Sequence, residues 1–281
     1  MHFSVKFRRL GLAISVLGLL SLAALRGGSA SSLASVGGLT NLAGFSGKLL
    51  AVFTLPGDSA VRELAGTPAA GVSLIVMKPF SAKVDGRIGS YRMGNWPYEG
   101  QTPRSPNYAP PKGFIEVTPE NFGTRVSEHF TVGQFLTKDQ GNVWPKYLVL
   151  DRRLLDKLEL TIAELQHMGY PVKNFSIMSG FRTPQYNVRG VGSGGRSAVS
   201  RHQYGDASDV YPDDNGDGRM DDLNRDGRVD LKDAKILASA AEAVERKNPQ
   251  LVGGVGIYPA NSAHGPFVHI DVRGTRARWN G

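Results

Sequence analysis

Apolar residues in the C-terminal half of the chain recur with two different periods. Leu154, Leu158, Ile162 and Leu165 repeat every three to four residues and Gly169 follows them, which predicts an amphipathic helix packed on a sheet. Short apolar runs bounded by Gly, Pro and polar residues predict strands at 49–55, 72–77, 114–117, 175–178, 252–257 and 268–272. This mixture of strands and helices predicts an α+β fold.

Local signals predict where turns and helices begin. Asp85-Gly86, between two short apolar segments, is typical of a two-residue hairpin turn. Thr131 and Gln134 have the spacing of a capping box, so we expect a helix to follow them. Asp233 is expected to cap a helix over 234–247.

Composition divides the chain into segments. Residues 1–30 begin with basic residues, continue with an apolar run and end in small residues, which is typical of a secretory signal peptide; an uncleaved anchor is the alternative. We expect a flexible Ser/Gly/Ala-rich segment at 31–46, a small β-rich accessory domain at 47–96, a Pro-rich linker at 97–113 and a larger domain at 114–281. The protein is therefore expected to be exported to the periplasm or cell envelope, and to meet a membrane only through an uncleaved leader.

The net charge and the absence of cysteine limit which covalent bonds and binding partners the protein can have. The chain has no cysteine, which excludes disulfides, a lipoprotein anchor and thiolate metal ligands. The formal net charge is +8, and +4 remains without residues 1–30, which hold four basic residues and no acidic one. This excess favours attraction to an anionic cell-envelope polymer. No basic helix or aromatic platform of the kinds that read nucleic acids is found in the sequence, so no nucleic-acid partner is expected.

Two histidines and a carboxylate form a candidate metal site. His202 and Asp209 are seven residues apart with a glycine and an alanine between them, which suits a turn that leads into a strand. His269 lies in the apolar run and, taken alone, would be interpreted as a packed core residue. Two histidines and one carboxylate, with a fourth position open, are the ligands of a catalytic zinc, whose bound water ionises near neutral pH. The combination favours zinc bound by His202, Asp209 and His269.

The residues around this site resemble those of the zinc D-alanyl-D-alanine carboxypeptidases, whose fold is shared with related endopeptidases and with the hedgehog signalling domain. The family pattern Ser-x-His-x-x-Gly-x-Ala-x-Asp, followed distantly by His, is matched by Ser200, His202, Gly205, Ala207, Asp209 and His269. The segment 179–182, Ser-Gly-Phe-Arg, resembles the family's Ser-Gly-Tyr-Arg, and 129–136 resembles the start of that domain. The resemblance implies a hedgehog/D-Ala-D-Ala-peptidase-like zinc domain.

The resemblance also implies an activity. It implies an exported zinc metallopeptidase that hydrolyses peptide bonds next to D-alanine in peptidoglycan, as a D,D-carboxypeptidase or a D,D-endopeptidase. In the family the arginine of the Ser-Gly-Tyr-Arg segment contacts the substrate and the developing oxyanion, which implies that role for Arg182.

One position departs from the family pattern. Many members carry Glu or Asp three residues before the final His as general base, and Pro266 stands there. The candidate bases are then Asp271 and His264, while Asp271 could equally orient a zinc ligand. A site without a base leaves the alternative of a non-catalytic, zinc- and calcium-stabilised cell-wall binding module.

A nine-residue repeat, Asp-x-Asn-x-Asp-Gly-x-x-Asp, follows at 213–221 and 222–230. Its oxygen ligands at positions 1, 3 and 5, with glycine at position 6, are those of a calcium loop. The second copy also has a carboxylate at position 12, where the first has an asparagine, so the first is expected to be weaker or to share ligands. A dockerin-like docking element is the alternative role for this insertion at 213–233. The predicted calcium ligands are Asp213, Asn215, Asp217, Asp221, Asp222, Asn224, Asp226, Arg228 through its carbonyl, Asp230 and Asp233.

Overall fold

The computed structural model describes residues 77–192 and 194–281. The predicted leader, the segment 31–46, the strand at 49–55 and most of the predicted accessory domain lie outside these residues. Within them the fold is a mixed α+β arrangement with several sheets and few helices. None of the helices in this part of the chain is both long and apolar enough to cross a membrane.

The described elements follow one another from an N-terminal group of short strands to a C-terminal group with the longer helices. The strands are β1 (Met77–Pro79), β2 (Arg87–Ile88), β3 (Tyr91–Arg92), β4 (Gly113–Val117), β5 (Lys146–Leu148), β6 (Phe175–Ser179), β7 (Ala207–Pro212), β8 (Gly254–Tyr258), β9 (Phe267–Asp271) and β10 (Ala277–Asn280). The α-helices are α1 (Arg152–His167), α2 (Pro184–Val188) and α3 (Leu231–Lys247). The strands predicted at 114–117, 175–178, 252–257 and 268–272 are confirmed within one or two residues, and that at 72–77 is described only at its last residue.

A five-stranded sheet carries the C-terminal part, with the order β10-β8-β9-β7-β6. Its neighbours are antiparallel except for β10 and β8, which are parallel. Because side chains alternate along a strand, the sheet has two different faces. Val210, Val255, Val268 and Ile270 are buried on the face against which α1 and α3 pack. The opposite face carries Asp209 and His269, so the candidate metal ligands lie away from the helices.

Helix α1 confirms the predicted amphipathic helix. Leu154, Leu158, Ile162 and Leu165 are all buried. Its first turn is capped by Asp151, whose side chain accepts a hydrogen bond from the amide of Arg153.

The two other predicted helix starts need correction. Helix α3 begins at Leu231 with Asp230 as its N-cap, and Asp233 is the third residue of a capping box rather than the cap itself. The capping box of Thr131 and Gln134 is present, but only a single 3-10 turn follows it. The turn ends at Leu136, whose φ of −64° and ψ of 146° are those of extended backbone, and the carbonyl of Phe135 accepts a hydrogen bond from the amide of Phe181 at 2.8 Å.

The N-terminal strands form two small sheets, β1-β4-β5 and the hairpin β2-β3. The predicted two-residue turn is confirmed just before this hairpin, where Val84 and Arg87 exchange two backbone hydrogen bonds of 2.9 Å. Asp85 and Gly86 between them both have positive φ, 49° and 72°. That conformation is the one for which Asp-Gly is preferred.

The predicted boundary between an accessory domain and the zinc domain is absent from the described residues. Strand β1 pairs with β4, and Tyr91, Met93 and Trp96 are buried in the same core as the C-terminal residues. The indole Nε1 of Trp96 donates a hydrogen bond to the carbonyl of Gln203 at 2.8 Å. Residues 77–96 are therefore an integral part of the fold that carries the candidate site.

The Pro-rich segment 97–113 is packed against the fold rather than extended as a free linker. Arg201 donates to the carbonyl of Asn107 at 2.6 Å, and the side-chain amide of Asn107 donates to the carbonyl of Arg273. The ring of Tyr108 contacts that of Tyr204 edge to face, with centroids 5.6 Å apart. The prediction of an extended linker was therefore wrong: the segment contains turns and the 3-10 turn Pro106–Tyr108, and its contacts depend on distant residues.

A buried network of charges connects the helices to the sheet. Lys157 on α1 is 0% exposed and donates to Glu245 on α3 at 2.6 Å and to the backbone carbonyl of Asp271 at 2.7 Å. Arg278 on β10 also pairs with Glu245. Buried charges of this kind need partners because the loss of hydration is costly. The network ties both long helices to the strand that carries His269.

Candidate metal centre

The three predicted ligands lie on three elements and meet over one face of the sheet. His202 is on a 3-10 turn, Arg201–Tyr204, which ends at Gly205 and leads into β7 with Asp209; His269 is on β9. Gly205 has a left-handed φ of 68°, and a Cβ there would overlap the carbonyl of Val149. A glycine at this position is therefore required for the turn that brings His202 back toward Asp209.

The ligand atoms form a nearly equilateral triangle. His202 Nε2 lies 3.2 Å from Asp209 Oδ1 and 3.1 Å from His269 Nδ1, and His269 Nδ1 lies 2.9 Å from Asp209 Oδ1. Ligands at about 2.0–2.1 Å from a tetrahedral zinc are roughly 3.3 Å apart. The triangle is thus close to one face of a zinc tetrahedron. Among the described residues this is the group of His and acidic side chains whose ligand atoms converge closely enough for a metal ion.

Each imidazole is oriented by a hydrogen bond from the nitrogen that faces away from the triangle. Nδ1 of His202 donates to the backbone carbonyl of Gly180 at 2.7 Å, and Nε2 of His269 donates to Asp271 Oδ2 at 3.0 Å. These contacts favour the tautomers that present a lone pair to the centre, as metal-bound histidines require. The donor set and its outer contacts therefore fit zinc.

The charges around the triangle are set by burial and by close partners. Burial lowers the pKa of His202 to about 4, so this ring is neutral at neutral pH. Burial also lowers the pKa of His269, but hydrogen bonds to Asp209 and Asp271 outweigh it and raise that pKa above its usual value. Burial raises the pKa of Asp209, and His202, His269 and Arg182 together outweigh it, so Asp209 is ionised.

Arg182 lies directly beside the ligand triangle. Its Nη2 pairs with Oδ2 of Asp209, the carboxylate oxygen not directed at the histidines, and its Nε donates to Ser179 Oγ at 2.8 Å. Burial lowers the pKa of this guanidinium, although Asp209 counteracts the effect. The side chain remains 14% exposed, so it is not completely enclosed by the protein.

Asp271 lies behind His269 rather than in front of the triangle. Its two oxygens accept hydrogen bonds from His269 Nε2, from the amide of Gly254 at 2.7 Å and from the guanidinium of Arg273 at 2.9 Å. Burial raises the pKa of Asp271, but His269 and Arg273 outweigh it and hold that pKa far below its usual range. Of the two roles expected for Asp271, this geometry favours the orientation of a zinc ligand over that of general base.

His264 lies at the edge of the site without touching the triangle. Its Nε2 accepts from the side-chain amide of Asn261 at 2.8 Å, its Nδ1 donates to the carbonyl of Gly265, and its ring packs edge to face on Phe267. The side chain is partly exposed. His264 thus precedes the first residue of β9 by three positions, and in this conformation it makes no contact with His202, Asp209 or His269.

A single row of residues crosses the sheet through the candidate centre. Ser179, Asp209, His269, Gly256 and Trp279 are successive cross-strand partners on β6, β7, β9, β8 and β10. Gly256 leaves a gap in this row, and a Cβ there would overlap the indole of Trp279. The indole fills the gap and reaches the imidazole of His269, with ring centroids 5.1 Å apart.

Two aromatic residues, Tyr258 and Trp279, form a wall beside His269. The indole Nε1 of Trp279 donates to the hydroxyl of Tyr258 at 2.8 Å. The ring of Tyr258 is stacked on that of Phe267, with centroids 4.5 Å apart and planes 6° from parallel. Neither this aromatic wall nor Arg273 was expected from the sequence. The alternation Gly254, Gly256, Tyr258 on the strand next to the histidine strand is the signal that could have indicated it.

The two predicted calcium loops repeat the same local geometry. Asp213 and Asp222, at position 1 of each copy, accept hydrogen bonds from the amides at positions 5 and 6 of their own loops. Gly218 and Gly227 at position 6 have positive φ, 78° and 82°. Asp233, at position 12 of the second copy, is fully buried and its oxygens accept from the amides of residues 223, 224 and 230. Calcium at this insertion stays a prediction.

Comparisons of the chain with models of protein families, with curated proteins and with solved structures found no match. The function must therefore be argued from the residues and from their arrangement.

Proposed function

We propose that this protein is an exported, zinc-dependent peptidase that hydrolyses peptide bonds next to D-alanine in peptidoglycan, as a D,D-carboxypeptidase or a D,D-endopeptidase. The observation that carries the proposal is the triangle of His202 Nε2, Asp209 Oδ1 and His269 Nδ1, whose sides measure 2.9–3.2 Å. Zinc bound by these residues would supply a Lewis acid that activates water and polarises the substrate carbonyl. We also propose that the domain has a hedgehog/D-Ala-D-Ala-peptidase-like fold.

The residues at and beside the triangle have different roles in the proposed reaction. His202 and His269 provide Nε2 and Nδ1 as ligand nitrogens, their rings are oriented by Gly180 and Asp271, and Asp209 provides one negative charge. Three protein ligands leave a fourth position for water or substrate, as catalytic zinc sites do. Arg182, beside Asp209 and partly exposed, binds the carbonyl oxygen of the scissile bond or a substrate carboxylate.

The proton acceptor is the remaining requirement of hydrolysis. Asp271 already accepts hydrogen bonds from His269, Gly254 and Arg273, and it lies behind the metal ligand. His264 is partly exposed on the segment before β9, and only Asn261 and Gly265 hold its nitrogens. We assign the role of general base to His264, because hydrogen bonds to a base often form only when the substrate is present.

The proposal also includes the cellular location of the enzyme, which is inferred from its sequence. A leader at 1–30 would direct it to the periplasm or cell envelope, where its peptidoglycan substrate and an anionic polymer are available. Calcium would bind the insertion 213–233 and hold its loops. Asp213, at the start of the insertion, already bonds Ser176 on the edge strand β6 at 2.7 Å, so the insertion is in contact with the sheet.

A non-catalytic cell-wall binding module is the second candidate. It is favoured by the pairing of Asp271 with Arg273, which leaves the position behind His269 without a free base, and by Pro266 at the position of the family's general base. Such a module would keep zinc as a structural ion and bind the same peptides without cleaving them.

Product analysis distinguishes the two candidates. The purified protein is incubated with defined muropeptides, with and without added zinc, and the products are analysed by mass spectrometry. The peptidase releases D-alanine or separates cross-linked stems, and His202→Gln abolishes this release. His129→Gln is the matched control, because His129 pairs with Glu159 away from the centre. Zinc-loaded protein that binds these muropeptides and leaves them intact would establish the binding module instead.

A further inference from the structure

Tyr258 is held beside the candidate metal centre by two aromatic neighbours. Its ring stacks on Phe267, its cross-strand partner on β9. Its hydroxyl oxygen accepts the Nε1–H of Trp279 at 2.8 Å. Stacking and hydrogen bonding together determine where the phenol oxygen lies, although the side chain is only partly buried.

The position of Tyr258 relative to the ligands follows from the strand register. Gly256 lies beside His269, and Tyr258 is two residues further along β8, so its side chain is on the same face of the sheet. Trp279 bridges the two, because its indole contacts the His269 ring and also donates to Tyr258. Tyr258 is therefore one side chain removed from a metal ligand.

Arg182 and Tyr258 are connected to different ligands of the triangle. Arg182 follows β6 at one edge of the sheet and pairs with Oδ2 of Asp209. Tyr258 ends β8, on the other side of β9, and is connected to His269 through Trp279. The two donors therefore lie beside different ligands of the candidate centre.

The hydroxyl of Tyr258 retains an unused hydrogen. A phenol can accept and donate, and Trp279 uses the oxygen as an acceptor. Within residues 77–192 and 194–281 the O–H itself has no acceptor. A donor of fixed position beside a metal centre has the chemistry required to bind a carbonyl oxygen that gains negative charge.

We propose that Tyr258 is a further catalytic residue, whose O–H donates a hydrogen bond to the carbonyl oxygen of the scissile bond from the His269 side of the centre, whereas Arg182 lies beside Asp209. This inference rests on the proposed peptidase activity. The hydrogen bond strengthens as negative charge develops on that oxygen, and no proton is transferred. Trp279 is then a positioning residue, because its Nε1–H occupies one side of the phenol oxygen and directs the O–H toward the substrate.

Kinetics of three conservative variants of the zinc-loaded full chain test the inference. Tyr258→Phe keeps the stacked ring and is expected to lower kcat about 100-fold with KM changed less than about threefold, the pattern for a donor used mainly in the transition state. Trp279→Phe is expected to lower kcat about tenfold. Tyr147→Phe is the matched control, since that hydroxyl bonds Glu116 in the other sheet, and its kcat is expected to equal that of the unmodified protein.

A binding measurement gives a readout that does not depend on turnover. The probe is a phosphinate dipeptide, in which the tetrahedral phosphorus stands in for the attacked carbonyl carbon, and its affinity is measured by calorimetry. Tyr258→Phe is expected to weaken this probe at least tenfold and to leave the affinity of an uncleaved peptide product unchanged. The visible spectrum of the cobalt-substituted protein is expected to be the same for both forms, which shows that the ligand triangle is intact.

The outcomes separate this inference from the proposed function. If the unmodified protein cleaves muropeptides and Tyr258→Phe matches it in kcat and in phosphinate affinity, the role of Tyr258 is refuted and the peptidase stands. If no form cleaves muropeptides or binds the phosphinate although zinc is bound, the peptidase and the role of Tyr258 both fail. A changed cobalt spectrum in Tyr258→Phe would show that Tyr258 supports the ligands instead, and would also overturn the inference.

Discussion

Asp271 accepts a hydrogen bond from Nε2 of His269 at 3.0 Å, on the side of the ring that faces away from His202 and Asp209. The contact fixes the tautomer that exposes Nδ1 to the centre, and it makes the imidazole a stronger electron donor. Arg273 on the far side of Asp271 compensates the negative charge, so the carboxylate can remain ionised although it is 0% exposed. Arg273, Asp271 and His269 thus form a chain of contacts that ends at the candidate metal position.

Replacing Asp271 with Asn is expected to weaken zinc binding by about 10–100-fold, the usual effect when an outer partner of a ligating histidine is lost. The affinity is measured by competition with a chromogenic chelator on protein shown to be folded by circular dichroism. Arg273→Lys serves as the control, because it keeps a cation beside Asp271 and should change the affinity less. An unchanged zinc affinity combined with a complete loss of activity would instead support Asp271 as the general base.

His264→Gln is expected to lower kcat by about 100-fold or more and to leave the zinc affinity unchanged, since a general base contributes typically 10²–10⁴-fold. Glutamine keeps the size and a hydrogen-bonding end but cannot accept a proton at neutral pH. Both quantities are measured on protein shown to be folded by circular dichroism. A variant with the activity of the unmodified protein would remove His264 from the mechanism.

Gly256→Ala tests the gap through which Trp279 reaches His269. The added Cβ overlaps the indole of Trp279, so the ring must move or the strands must separate. Overpacking of this kind costs about 1–3 kcal/mol, which urea denaturation followed by circular dichroism can measure. Gly123→Ala is the matched control, because nothing lies within 4 Å of the Cβ position there. Equal stability of the two variants would contradict the tight packing of the indole on Gly256.

Lys157→Ala is expected to destabilise the fold by about 3–5 kcal/mol, because it removes the buried cation that pairs with Glu245 and leaves a carboxylate short of a partner. Urea denaturation at neutral pH gives the free energy of unfolding. Lys247→Ala removes a lysine whose side chain is 58% exposed and pairs with Glu164, and about 0–1 kcal/mol is expected there. Similar losses for both variants would show that the buried network contributes no more than a surface pair.

Calcium is expected to raise the melting temperature in a concentration-dependent way, because an ion that binds only the folded state stabilises it. The melting temperature is followed during titration with calcium, after removal of calcium with EGTA. Asp226→Ala in the complete second repeat is expected to reduce the shift more than Asp217→Ala at the equivalent position of the first. No shift at millimolar calcium, or equal effects of the two variants, would contradict the assignment of the second repeat as the stronger site.

The turn and the strands that carry the three candidate ligands could be predicted because their signals are local. The apolar alternation around His269 and the glycine between His202 and Asp209 fix a strand and a turn within a few residues. The hairpin turn at Asp85-Gly86 is equally local, since both residues suit positive φ. These features depend little on what the rest of the chain does.

The surroundings of the ligands could not be predicted because they depend on long-range register. Trp279 meets His269 only because β10 pairs with β8 in one particular alignment and Gly256 leaves space between them. The role of Asp271 likewise depends on Arg273 and on the amide of Gly254. Alternation places Asp271 and His269 on one face, but it does not determine whether the carboxylate lies in front of the metal position or behind it.

The contacts of the Pro-rich segment 97–113 bear on how the protein can be shortened. Through Asn107 the segment holds both Arg201, adjacent to the first ligand, and Arg273, the partner of Asp271. A truncated chain that started at residue 114 would lose these contacts on both sides of the candidate metal site at once, together with Trp96. Any trimmed version intended for crystallisation or biosensing should therefore begin ahead of Met77.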